Sequence, residues 1–350
     1  MTPVLAGIGL AHPPPVLQDE LWRGFFAQHY GGVQRALAQR IFEHSGVVTR
    51  HGVINPMLED VSGWTTGARM ERYRTEAMPL GRAAARAALD AAGLEPAEVG
   101  LFVVCSCTGY VTPGLDILLA RDLGFPADLR RVFVGHMGCY AALPGLGVAA
   151  DFVATHGGSA LLLCVELPSL HVQPPTTDPQ QVIAHALFSD AAAAAVISPA
   201  ASGRGGYAVR GVAALTDTAT ADHMTWDITD LGFRMGLSPR VPDVLAQHVA
   251  GFVKDLLSRH GLAVSDVDGW AVHPGGPKIL DVVGRELGLS PEVLDTSREV
   301  LARHGNCSSP TVLLILDALS RLPEPPRHVL TLAFGPGLTL YATLLGPAQA

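Results

Sequence analysis

Three residues set far apart in this chain have the types that could share one reaction. They are Cys139 in VFVGHMGCYAALPGLG, His273 in GWAVHPGGPKIL and Asn306 in ARHGNCSSPTVLLILD. A thiol that opens a helix lies against unpaired N–H groups and the positive end of the helix dipole, both of which favour thiolate. Glycines before Cys139 permit a sharp turn and close approach of a substrate. The same cysteine could instead be a small apolar filler, since cysteine is among the most buried residue types. His273 stands where an apolar strand is stopped by Pro274-Gly275-Gly276, a posture suited either to acid–base work or to capping a turn. Asn306, at the polar mouth of an apolar helix, is either an N-cap or a neutral donor to an oxyanion. Taken together, the three supply a nucleophile, a base and an oxyanion donor. Metal ligation by these groups would need further cysteines or histidines at ligand spacing, so no metal site is expected.

The elements that must position them alternate along the chain. QRALAQRIFEHSGV is helical, and an Ala-rich helix from Pro79 closes at Gly93. LFVVCSCTG, RVFVG and SALLLCVEL read as strands, with Asp116–Leu123 helical between the first two. Cys139–Ala154 is a helix apolar on nearly every face, hence buried, with Pro144 in its first turn or bending it. ALFSDAAAAAVIS is expected as a further strand interrupted at Ser189-Asp190. After residue 205 the pattern restarts. VPDVLAQHVAGFVKDLLSRHGL and PKILDVVGRELGL are helices either side of the strand DGWAVHP, NCSSPTVLLILDALSRL is a helix, and HVLTLAFGPGLTLYATLLG is two strands joined by a glycine corner. This alternation predicts an α/β fold with mixed sheets in two similar halves, residues 1–215 and 216–350, packed as one body.

Composition narrows the function further. The 350 residues are 48% hydrophobic and only 16% charged, so much of the chain is interior or faces another subunit. A net charge of −8 without a Lys/Arg block argues against a nucleic-acid surface. No apolar run reaches the ~18 residues of a membrane span, and the N-terminus lacks the basic start of a signal peptide. Five scattered cysteines support no disulfide framework, which predicts a reduced, cytoplasmic protein without membrane insertion.

GHMGCYAALPG, ALFSDAAAAAV, GWAVHPGGPKILD, REVLARHGNCSSPTVLLILD and AFGPGL follow one another in an order that resembles the type III polyketide synthases. These are the chalcone-synthase-like branch of the thiolase superfamily, and the likeness spans nearly the whole chain. It implies a layered αβαβα architecture, a homodimer, acyl-CoA and malonyl-CoA as substrates, and no cofactor. It also implies Cys139 as acyl-accepting nucleophile with His273 and Asn306 as partners. Phe188 matches the family's aromatic gatekeeper, with a second gatekeeper at Met235 or Phe233. Cys107, Thr108, Pro168, His171, Trp226 and Ser308 match cavity positions, where plant chalcone synthases carry mostly small residues and a glycine in place of Trp226. Gly335-Pro336-Gly337 matches the glycine corner at the oxyanion and cyclisation loop. Arg40 and His44 match positions that bind coenzyme A phosphates, to which Arg35 and Arg50 could contribute. Thr112 falls where plant enzymes send a methionine across the dimer interface.

The flanking residues are most similar to bacterial alkylpyrone and alkylresorcinol synthases, which implies an aliphatic acyl starter and a pyrone or phenolic product. Two other readings of the same groups are a single-condensation ketoacyl synthase and a Cys139-dependent acyltransferase or hydrolase.

Overall fold

A computed structural model describes residues 1–200, 203 and 206–348. Its strands in chain order are β1 Pro3–Ala11, β2 Pro15–Leu17, β3 Thr49–His51, β4 Val99–Ser106, β5 Arg130–Gly135, β6 Ser159–Glu166 and β7 Ala191–Pro199, followed by β8 Tyr207–Thr216, β9 Met224–Thr229, β10 Gly232–Leu237, β11 Gly269–Val272, β12 Val329–Gly335 and β13 Thr339–Pro347. Nine of them form one hydrogen-bonded series in the order β11-β12-β13-β8-β1-β7-β6-β4-β5. The series is two sheets joined at a narrow seam, because β1 meets β8 only at Val4↔Ala208 and Leu5↔Tyr207. On the N-terminal side β5, β4 and β6 are parallel, while β7 and β1 run antiparallel. On the C-terminal side β11 and β12 are parallel, and β13 and β8 antiparallel. β8 straddles the boundary expected at 215/216 and belongs by its pairing to the C-terminal sheet.

Helices fill the spaces around these sheets. The alanines of Thr66–Ala92, among them Ala84, Ala85 and Ala88, bring that helix close to Ala192, Ala194 and Val196 on the outer face of the N-terminal sheet. Ala142–His156 and Thr311–Ser320 lie between the sheets, where Leu143, Leu146, Val312 and Ile315 meet Leu162, Ala193, Ala333 and Leu345. Val241–Ser258 and Pro277–Leu287 cover the far face around Trp270, Leu330 and Leu340. The result is five layers, αβαβα, a thiolase-like fold. Leu143 and Leu146 are fully buried, and each such side chain contributes about 1.5–3 kcal/mol. Gly138–His156 is long and apolar enough to cross a membrane by composition, but its apolar side chains form the core between the two sheets.

Two expectations need correction. The Ala-rich helix starts at Thr66, capped by Thr65, rather than at Pro79. Burial of Tyr73 and Ala77 carries it across the proline, whose missing N–H removes only one helical bond. ALFSDAAAAAVIS is not one strand: Ala186 and Leu187 end the helix Pro179–Leu187, and β7 begins at Ala191. The structure adds the hairpin β9–β10, whose first strand MTWDIT alternates apolar and polar residues and whose second buries Phe233 and Met235.

Candidate active site

Cys139 sits in a single 3-10 turn, Gly138–Tyr140, that feeds the central helix. His136 and Gly138 both have positive φ, at 61° and 73°, so the chain turns sharply between β5 and the thiol. Glycine at 138 also allows a close approach. A Cβ there would lie 2.9 Å from Pro336 Cδ, so the Gly335–Gly337 corner rests directly on the turn that carries Cys139. Burial pushes the Cys139 thiol up to about 11, while hydrogen bonding from Ser308 and Asn306 pulls in the opposite direction.

Asn306 is not an N-cap. The following helix starts at Thr311 with Pro310 at the cap position, five residues downstream. Its backbone instead joins the Phe188 segment: Asn306 N–H donates to Leu187 O at 2.8 Å, and Ser189 N–H donates to Asn306 O at 2.9 Å. Asn306 Oδ1 accepts from the Ser308 N–H at 2.8 Å. That contact leaves its amide NH2 as the donor toward Cys139. Ser308 has φ +56°, an uncommon conformation for a residue with a side chain, and its hydroxyl lies 3.7 Å from Cys107 Sγ.

Beneath this loop lies Glu166, a residue that the motif reading passed over. Its wholly buried carboxylate accepts from Cys107 N–H, from Thr108 N–H and hydroxyl at 3.1 and 2.7 Å, and from the Ser309 hydroxyl at 2.7 Å. Burial raises its pKa, and those donors oppose the rise. Glu166 therefore ties the loop after β4 to the loop that carries Asn306. The signal was present in the sequence as the one charged residue ending the apolar strand SALLLCVE.

His273 follows β11, and its N–H donates to Leu332 O on β12 at 2.8 Å. β12 ends at Gly335, against Met137 and Tyr140, so His273 is delivered to the end of the sheet that faces the Cys139 turn. Neither ring nitrogen has a hydrogen-bond partner among the described residues, and both are buried. Burial alone lowers its pKa to about 3. Buried polar atoms are nearly always paired, and this imidazole differs in that respect from the hydrogen-bonded His171 and His185.

Beside Phe188 opens a pocket lined by six of the expected residues: Pro168, His171, Phe188, Trp226, Phe233 and Met235. Trp226 Nε1–H donates to Cys107 O at 2.7 Å, and its ring meets His171 edge-on at 5.5 Å. His171 stacks on Phe233 at 4.5 Å. It accepts at Nδ1 from Phe233 N–H and so donates at Nε2 to Thr108 O, at 2.9 and 2.7 Å, which fixes the neutral tautomer. Burial lowers its pKa to about 4. Phe233 and Met235 both line the pocket. Cys107 and Ser308 stand beside Cys139 instead, and the Thr108 hydroxyl is taken up by Glu166.

The cationic positions divide. Arg40, His44 and Arg35 are exposed on or beside the helix Gly32–Glu43, with His44 Nδ1 on Arg40 O at 2.7 Å. Arg50 is buried, and it donates to Phe188 O at 3.1 Å and to His185 O. It braces the segment that carries Phe188 and lines the pocket beside it, buried where Arg35 and Arg40 are exposed.

A five-layer fold with a buried Cys, His and Asn on separate corners defines a thiolase-like acyl-transferring class. The sequence matches the N-terminal domain of chalcone and stilbene synthases over residues 3–201 and the C-terminal domain over 215–347. It is 38% identical to a 1,3,6,8-tetrahydroxynaphthalene synthase of Streptomyces peucetius subsp. caesius, covering 90% of this chain and 84% of that one. It is 33% identical to the α-pyrone synthesis polyketide synthase-like Pks18 of Mycobacterium tuberculosis, covering 89% and 82%. The crystal structure of PKS-I from the brown alga Ectocarpus siliculosus superposes with a TM-score of 0.92 at 30% identity, covering 99% of this chain and 98% of that one. The chain belongs to the chalcone and stilbene synthase family of type III polyketide synthases, acyltransferases that use coenzyme A thioesters.

Proposed function

We propose that this chain loads an acyl-CoA starter on Cys139, extends it with malonyl-CoA by decarboxylative Claisen condensation, and cyclises the chain to a pyrone or phenolic product. The observation that supports this most is a buried Cys139 with Asn306 and Ser308 beside it, and a His273 at the same end of the fold that has no partner among the described residues. Neither Cys139 thiolate nor His273 imidazolium is stable alone at that depth, so the two ionise together. His273 takes the Cys139 proton, and the thiolate attacks the starter thioester. Coenzyme A leaves as its thiol, taking the proton from His273.

Malonyl-CoA then places its thioester carbonyl against His273 and Asn306. The carboxylate C–C bond breaks, carbon dioxide leaves, and its electron pair becomes an enolate. One well-placed donor to such an oxyanion is worth about 3 kcal/mol. The enolate carbon attacks the Cys139 thioester and releases the thiolate, leaving on coenzyme A a chain two carbons longer. No further cofactor enters this scheme. Phe188 screens the enolate from water. In this reading Gly335-Pro336-Gly337 completes the wall behind Cys139, and the exposed Arg40 and His44 meet coenzyme A phosphates.

The aromatic pocket suits an aliphatic starter, and the pyrone and naphthalene names of two relatives fit repeated extension. Two halves, 1–215 and 216–350, carry the nucleophile and its partners respectively. A homodimer is supported by β5, an edge strand with Phe133 exposed, and by exposed Tyr110 beside Thr112. Five cysteines, all of them free, suit the cytoplasm. Mass spectrometry of products from short, long and aromatic acyl-CoAs with malonyl-CoA tests the whole reading. Multiply extended cyclic products are expected. A lone β-keto product would establish single condensation, and thioester cleavage without decarboxylation would establish a hydrolase.

A further inference from the structure

Three histidines remote in sequence meet at the edge of this pocket. His12 follows β1, His51 ends β3, and His304 ends the helix Asp295–His304 that leads into Asn306. Their ring centroids lie 4.6 Å apart for His12–His51, 4.6 Å for His12–His304 and 5.3 Å for His51–His304. A nitrogen from each lies within 4.8 Å of the others, and all three residues are partly exposed.

Two details turn this stack into a ligand set. His51 Nδ1 lies 2.9 Å from the Pro13 carbonyl, which can only accept. Nδ1 therefore carries the proton, and Nε2 is the unprotonated nitrogen. This backbone bond is the kind of outer contact that orients metal-binding imidazoles. His51 Nε2 in turn lies 3.3 Å from His304 Nδ1. Two nitrogens at ~2.0–2.1 Å from a tetrahedral zinc stand about 3.3–3.4 Å apart, so the pair already has that spacing. The third member, His12, has a buried Nδ1 with no hydrogen-bond partner among the described residues.

We propose that His12, His51 and His304 form a three-histidine site for a divalent metal of zinc-like preference, with a fourth position open to water or an anion. Without metal, His304 Nδ1–H donates to His51. On binding, His304 changes tautomer, its proton passing through solvent to Nε2, and remains a neutral ligand. The site spans elements that matter to the catalytic corner. His51 N–H donates to Ser189 Oγ at 2.8 Å, and Asp190 N–H donates to His51 O at 2.9 Å. A bound ion would therefore fasten the residues next to Phe188 to the helix end next to Asn306.

The test uses untagged, chelator-treated full-length protein, titrated calorimetrically with Zn2+ and followed spectroscopically with Co2+. The expected result is a single Zn2+ per chain, a Tm raised by the metal, and a cobalt spectrum of nitrogen ligation without a thiolate charge-transfer band. His51→Ala and His304→Phe should each weaken binding at least ~10-fold. The phenylalanine keeps a stacked ring, so lost binding with an unchanged metal-free Tm reads ligation rather than misfolding. Absence of saturable binding, a thiolate band, or unaltered affinity in both variants would overturn the site.

Discussion

Asn306 and Phe188 are joined through their backbones by an isolated parallel bridge. Asn306 and the Phe188 ring at the pocket are therefore held on hydrogen-bonded backbone. Gly305 makes the bridge possible. Its φ of 70° and ψ of −171° are nearly exclusive to glycine, and a Cβ there would lie 2.8 Å from Ser189 Cβ and 3.0 Å from Leu187 O. Gly305→Ala should cost about 1–3 kcal/mol of stability and depress malonyl-CoA decarboxylation more than starter loading. Denaturant unfolding together with acyl-enzyme mass spectrometry checks both. Equal losses in loading and decarboxylation would place the damage elsewhere.

The proposed mechanism makes Cys139 depend on His273 for its charge. Burial pushes the thiol up to about 11. In His273→Ala, thiolate would be fully formed only above that pH. Iodoacetamide labelling of Cys139 should then climb about tenfold per pH unit across the neutral range, whereas the wild type stays reactive near pH 7. Superimposable profiles for the two proteins would remove His273 from the role of proton acceptor.

The order of strands and helices was legible in the sequence because core-facing runs such as ALLLCV and a central helix apolar on nearly every face read as interior. Cys139, His273 and Asn306 were recognisable as chemistry only in company, since each has an ordinary structural reading alone. Distances were not legible. Nothing in a linear pattern shows Phe188 reaching Asn306, or Arg50 turning inward to brace Phe188 O. The cavity positions came from family likeness, and the structure distributes them, six around the pocket and Cys107 and Ser308 beside the nucleophile. Glu166 looked like a strand end until its donors could be counted.

Glu166→Ala should be among the most damaging changes remote from the reacting atoms. It leaves the N–H groups of Cys107 and Thr108 and the hydroxyls of Thr108 and Ser309 without their acceptor. Each buried donor left unpaired costs about 1–3 kcal/mol, and a loss of about 3–5 kcal/mol is expected after relaxation. Glu166→Gln keeps the shape but sets an NH2 donor among donors, so it should recover only part. Urea midpoints measure the series, and a loss below about 1 kcal/mol for the alanine variant would deny Glu166 its tying role.

Acid should destabilise the fold through buried neutral histidines. His171 and His185 are lowered from 6.5 to about 4 and 3, in each case first by burial. Between those values the unfolded chain binds protons that the folded chain refuses, so stability rises with pH there. The stabilisation is present above about 6.5 and is lost as pH falls toward the folded pKa values, at about 1.4 kcal/mol per unit for each ring. Urea midpoints at pH 7, 6 and 5 should fall with increasing steepness. A flat series would mean that these rings are protonated in the folded state.

Trp226 should set the length of the acyl chain that the pocket accepts. Its indole stands between His171, Phe233 and Phe188, at ring distances of 5.5, 6.0 and 6.5 Å, and is anchored by Nε1–H on Cys107 O. Trp226→Gly removes that partition and frees the Cys107 carbonyl to hydrate, which a widened pocket permits. The opened space should admit longer starters or further extensions before cyclisation. Bulk opposite Cys107 would meanwhile be lost without touching Cys139, so starter loading should persist. Two further variants separate volume from polarity: Trp226→Phe keeps most of the bulk without the N–H, and Trp226→Leu keeps apolar lining with less reach. If chain length follows volume, products should lengthen in the order Phe, Leu, Gly by mass spectrometry. An unchanged product distribution in Trp226→Gly would mean that the growing chain leaves Cys139 along another wall of the pocket.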